Sequence, residues 1–137
     1  MANEDGISEA DDFANVFFYF IKALKVLAKD ADAQCEYMGN YNVAWELKSD
    51  VSAGAYLLNL PGELTQREKD GIAAMVAALN ELPVSLLAGA TTETANKKAM
   101  NAPDWVPLRV RAAELLRLLS GAIRKNEAFL ASDGPTA

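Results

Sequence analysis

Histidine occurs nowhere in the 137 residues, and its absence removes more chemistry than any motif in the chain supplies. Without imidazole there is no side-chain base with an unperturbed pKa near neutrality, no Ser-His or Cys-His couple, and no histidine ligand for a metal. Histidine phosphotransfer falls with it, and so does a ferritin-like di-metal centre, which draws on Glu-x-x-His pairs. Cysteine is almost as scarce. The single Cys35 excludes an intramolecular disulfide and a cysteine zinc cluster and suits a reducing compartment. With no histidine to activate it, Cys35 is expected to be a packed or partly exposed helix residue and not a nucleophile. No glycine-rich phosphate loop occurs either.

Long apolar runs are also missing. The most apolar stretch, Val16 to Ile21, is cut short by Lys22 and Lys25, well below the roughly 20 residues that span a bilayer. Residues 1–12 carry five acids and no base, where a secretory signal would be positive. These features predict a cytoplasmic protein with no membrane association. The net charge of -6 disfavours nonspecific nucleic-acid binding, because phosphate attraction scales with the cations presented. Between Asp104 and Lys125, by contrast, five bases face two acids, a stretch suited to an acidic partner or to the chain's own acidic start.

What the chain has is helical periodicity. Hydrophobic residues make up 51% of it, enough for one domain spanning residues 1–137, with 1–7 and 132–137 as flexible tails. Ser8 and Asp11 form an imperfect capping box, after which Phe13, Phe17, Phe20, Leu24, Leu27 and Ala31 recur at alternating spacings of four and three. That heptad seam predicts a long first helix continuing to Met38, where Gly39 and Asn40 stop it. A second helix is expected from Asn42 to Leu58, with Ala44, Leu47, Val51, Ala55 and Leu58 inward, before Pro61 and Gly62. Thr65 with Glu68 makes a full capping box for a third, with Ile72, Met75 or Val76, Leu79 and Leu82 inward. Ala73, Ala74, Ala77 and Ala78 would admit a close neighbour there.

Residues 83–102 read as a short helix and a loop, or as two short helices, since Gly89 and three threonines lower helix propensity. Asp104 is a good N-cap with Pro107 in the first turn, and Trp105, Leu108, Ala112, Leu115, Leu119, Ala122, Asn126 and Phe129 then predict a second long helix. Together these elements predict an all-α fold, an antiparallel four-helix up-down bundle with a short helical excursion before the last helix. Its seams supply a core without a metal or a cofactor.

Candidate chemistry is thin. Asp30, Asp32, Gln34 and Glu36 alternate like the start of a calcium loop, but the turn glycine and terminal Glu are missing, and alternate residues on a helix do not face one another. Glu46 with Asp50, or Glu114, would serve carboxylate catalysis only if buried; exposure or pairing with Lys48, Arg111 or Arg117 is the better expectation. Arg117 and Arg124 similarly suit a solvated flank. The aromatic residues off the seams are more suggestive. Tyr37, Tyr41 and Trp45 cluster, Tyr56 lies three turns beyond Trp45, and Phe18 and Tyr19 make the first helix apolar around much of its girth, as binding anchors would. A broad inward face that simply includes them is the competing expectation. The function expected is a noncatalytic protein-protein interaction or regulatory role through a helix face, with another protein or a second copy as partner. The alternatives are a binder of an apolar small molecule, with Phe17, Phe20, Trp105 and the methionines lining a cavity, and a carboxylate-dependent enzyme.

Overall fold

The structure is a computed structural model that describes residues 9–39, 42–60, 64–89 and 91–133. Every element it describes is helical: α1 (Glu9–Leu27), α2 (Ala31–Met38), α3 (Val43–Ser52), the 3-10 segment η1 (Ala53–Asn59), α4 (Gln66–Leu79), α5 (Val84–Leu87), α6 (Glu93–Met100), α7 (Trp105–Leu118) and α8 (Ser120–Asp133). Among the described residues no helix is long and apolar enough to cross a membrane. The tails expected at 1–7 and 132–137 lie outside the described residues, except that Ser132 and Asp133 close α8.

The α1 seam is inward as its spacing predicts. Phe13, Phe17, Phe20, Leu24 and Leu27 are all buried, and α1 packs against α2, α3, η1, α7 and α8. The helix does not continue to Met38, however. Asp30 takes an extended conformation and its carboxylate accepts from the Ala33 amide at 2.8 Å, starting α2 afresh. At the end of α1 the buried Gln34 takes up the Leu27 carbonyl, its Nε2 donating to Leu27 O at 2.9 Å and also to Val26 O at 3.2 Å, which the Lys29 amide reaches as well at 3.0 Å. A capping carboxylate and an internal amide thus outweigh an unbroken apolar period. Gly39, at φ +68°, ends α2 in the region where glycine carries no penalty.

The second expected helix changes winding at Ser52. Ala44, Leu47 and Val51 are inward, but Gly54 and Leu57 then replace the expected Ala55 and Leu58. The 3-10 segment turns every three residues and not every 3.6, which shifts the inward register by one. Gly54 lets that segment lie directly on Phe20: a Cβ there would sit 2.4 Å from the ring. Tyr56 reaches Asp12 near the start of α1, so α1 and α3–η1 run in opposite senses.

The capping box of α4 forms with both bonds, Glu68 N–H to Thr65 Oγ1 at 3.1 Å and Thr65 N–H to Glu68 Oε1 at 2.8 Å. Ile72, Met75 and Leu79 are inward, whereas Ala73, Ala74 and Ala77 face out. Close approach to α7 comes through Gly71 instead, whose missing Cβ would meet Leu115 at 2.9 Å. Residues 83–102 form two short helices, α6 being capped by Thr92.

Asp104 makes no side-chain capping bond. The long last helix is interrupted at Leu119, before Ser120 and Gly121, a pair of poor helix formers at which helices commonly bend. The inward positions Trp105, Leu108, Ala112, Leu115, Leu119, Ala122 and Asn126 nevertheless keep the predicted period across the break. The expected all-helical chain is therefore found as shorter helices, with most of the expected inward positions kept and the register shifted at Gly54 and Leu57.

Candidate interaction surface

The outward face of α1 carries a second stripe with the same period as the buried one. Asp11, Asn15, Phe18, Lys22 and Lys25 follow one another at alternating spacings of four and three, so they form one line along the helix. Phe18 is 44% and Tyr19 64% exposed, and their rings meet edge to face at a centroid distance of 5.1 Å. The pair makes an aromatic ridge midway along an otherwise polar line.

Grooves open on both sides of the ridge. One, about 440 Å³, runs between α1, α2 and α3–η1; Val16, Phe20, Val26, Met38 and Leu47 line it with Tyr19 and Tyr37, while Lys22 and Asp50 supply charge. The other, about 270 Å³, lies between α1 and α8 and is lined by Phe17, Phe18, Ile21 and Ile123 together with Lys22, Lys25, Asn126 and Glu127. The Asn126 amide donates to Ala14 O at 3.1 Å and fixes α8 against α1 there. In the larger groove, partial burial and then the neighbouring Glu46 charge push the Asp50 carboxyl above its ordinary pKa.

The candidate aromatic residues divide. Tyr19 and Tyr37 share the larger groove, and Phe18 lines the smaller one. Tyr56 stands farther along the α1–η1 seam, its hydroxyl donating to Asp12 Oδ2 at 3.3 Å; the carboxylate charge raises the phenol pKa. Trp45 is exposed on α3 and lines neither groove. Tyr41 lies outside the described residues.

The other candidates fall at separate places among the described residues. Cys35 is buried beside a polar cleft shared by Asp32, Glu36, Glu93, Asn96 and Lys97. Burial pushes its thiol pKa up against the opposing pull of Lys97, so it stays protonated at neutral pH. Asp30 and Gln34 are occupied by the helix junction already described. Glu114, Arg117 and Arg124 are exposed, and Asp50 lines a groove without Glu46 beside it in the lining. Trp105, Met75 and Met100 are sealed in the core, while Phe17 and Phe20 are buried floor residues of the two grooves.

Two features escaped the reading of the sequence. The lysine line on α1 registered only as the end of an apolar run, although its heptad spacing was there to be counted. Arg109 belongs to the basic stretch suited to an acidic partner, yet it is half buried and donates to Gln34 Oε1 at 3.0 Å and to Met100 O, and burial lowers its pKa. No protein-family model matches the chain, nor does any curated protein or solved structure.

Proposed function

We propose that this protein is a noncatalytic interaction module that engages a protein partner through the outward face of α1 and the two grooves beside it. The observation that carries this reading is the Phe18–Tyr19 ridge: two large exposed rings meeting edge to face, with an apolar-floored groove on either side. Aromatic rings left exposed beside open apolar surface are what binding hot spots are made of, and soluble proteins otherwise cover such surface. The reading takes the main rods as a bundle of alternating direction with α5 and α6 as the excursion, and it takes a cytoplasmic setting, which one buried thiol suits. A second copy of the chain is the partner most directly compatible with it.

Site-specific photocrosslinking tests the surface without assuming the partner. A photoreactive phenylalanine at position 19 or 37 is expected to give discrete adducts in cells, suppressed by Phe18→Asp, whereas the same probe at the exposed Ser85 gives none of them. Identical adduct patterns at all three positions would sink the assignment of this face.

A further inference from the structure

We infer that the partner at this face is a second copy of the chain, docked through an antiparallel α1–α1 contact whose two-fold axis passes through Phe18; the inference rests on the assignment of the α1 face as the interaction surface. It comes from the order of charge along the outward stripe. Asp11 lies toward the start of α1 with Asp12 beside it off the line, Phe18 sits in the middle, and Lys22 and Lys25 lie toward its end. A line that is acidic at one end and basic at the other is complementary to itself reversed.

The register follows from the spacing. With the two copies antiparallel and Phe18 opposite Phe18, Asn15 falls opposite Lys22 and Asp11 opposite Lys25, because each pair is equally far from position 18 to within one residue. The span from Asp11 to Lys25 is about 21 Å at 1.5 Å per residue, so the contact is bounded at both ends by opposite charges with the aromatic ridge between them. A parallel pairing would set acid on acid and lysine on lysine, which like-charge repulsion disfavours. Among the described residues neither Lys22 nor Lys25 has an ion pair within its own chain. Of the two acids, Asp12 already accepts from Tyr56 and Asp11 also has a partner within its own chain.

A stable homodimer buries about 800 Å² on each copy, more than one helical stripe supplies. The contact therefore extends to the far lips of the grooves, Tyr37 on α2 and Ile123 on α8. Both grooves have a lip on the ridge, so a helix laid on the ridge closes both. This is an isologous contact, in which each element meets its own copy and the assembly stops at two.

The charge order gives a test that an unspecific apolar patch would fail. Two variants are prepared, Asp11→Lys with Asp12→Lys, and Lys22→Glu with Lys25→Glu, each verified as helical by circular dichroism. Sedimentation velocity at tens of micromolar is expected to show a wild-type dimer, two monomeric variants, and a restored dimer when the variants are mixed in equal amounts. The wild-type dimer is expected to dissociate progressively as salt is raised. Should either charge variant fail to fold, cysteine crosslinking in a Cys35→Ser background decides: Phe18→Cys at the axis forms a disulfide between copies, and Lys29→Cys, far from its symmetry mate, does not. A wild-type monomer at these concentrations overturns the dimer and leaves the α1 surface to the photocrosslinking result. A dimer indifferent to both charge reversals and to Phe18→Asp overturns the dimer at this face and counts against the surface as well.

Discussion

Alanine substitution at three glycines measures how tightly these helices are seated, and Gly54 is the severe case. A Cβ at position 54 would stand 2.4 Å from Phe20 Cε1 and 2.5 Å from Cδ1, against an ordinary carbon–carbon contact of about 3.5–4.0 Å. The ring would have to retreat by about 1 Å, and Phe20 is only 2% exposed and flanked by core. Overpacking of this kind costs about 1–3 kcal/mol. The backbone at Gly54 does not have positive φ, so alanine also recovers some unfolded-state entropy, about 0.5–1 kcal/mol. The net expectation is a loss of about 1–2 kcal/mol, or a fall of roughly 5 °C in Tm for a domain of this size.

Gly71→Ala meets only the methyl ends of Leu115 and Leu118, at 2.9 and 3.0 Å, and the gain in helix propensity should nearly cancel that crowding. Gly121→Ala meets nothing and should stabilise by up to about 1 kcal/mol. Thermal and urea unfolding followed by circular dichroism should therefore rank Gly121→Ala above wild type and Gly71→Ala, with Gly54→Ala last. Combining Gly54→Ala with Phe20→Leu should cost less than the sum of the two changes, because the smaller side chain vacates the contested space. A Gly54→Ala protein as stable as wild type, or strictly additive behaviour with Phe20→Leu, would show that η1 does not rest on Phe20 as described.

The helix caps offer a second comparison: Thr65→Ala, which removes a formed capping box, should cost about 1 kcal/mol, whereas Asp104→Ala, which removes no capping bond, should leave the urea midpoint close to wild type. Equal losses at both positions would contradict the geometry. A third concerns pH. The Asp50 carboxyl has a raised pKa in the folded state, so its ionisation opposes folding above that value and Asp50→Asn should stabilise at neutral pH. The advantage should shrink as pH falls through the raised folded pKa and vanish below the unfolded value, about 3.9; an advantage that grows on acidification would reverse the sign of the shift.

The core was legible because its signal is local. Phe13, Phe17, Phe20, Leu24 and Leu27 are buried for the reason their spacing gives, and the α7–α8 seam keeps its period through a bend. Boundaries were less legible where two local signals competed. Asp30 lies inside an unbroken heptad pattern and reads as a surface acid until its capping bond is seen. The register slip to Gly54 and Leu57 depends on a 3-10 winding that no residue in Ala53–Asn59 announces. The exposed aromatic residues could be named because the seams were already fully assigned without them. Which of them would share a groove was not legible, since Tyr37 lines the same groove as Tyr19 only through the way α2 folds back.

That fold-back links the helix break to the candidate surface. Had α1 continued to Met38 as one rod, Tyr19 and Tyr37 would stand about 27 Å apart along it. The Asp30 cap ends the rod at Leu27, and α2 turns so that both tyrosines line one groove. Such a break strands the last carbonyls of α1 in the interior, where an unmet acceptor costs about 1–3 kcal/mol. Gln34 meets the Leu27 carbonyl and also donates to Val26 O, which the Lys29 amide already reaches, and Arg109 in turn donates to Gln34. The same device recurs at α3, where the buried Asn96 accepts from the Val43 amide at 3.0 Å and Asn42 donates to Leu87 O at 2.8 Å. An amide carries both a donor and an acceptor without a charge to bury, which suits a chain that lacks histidine and has one cysteine. The buried amides hold the junctions from within, and the outward face of α1 is left to carry aromatic rings and lysines that no element of its own chain covers.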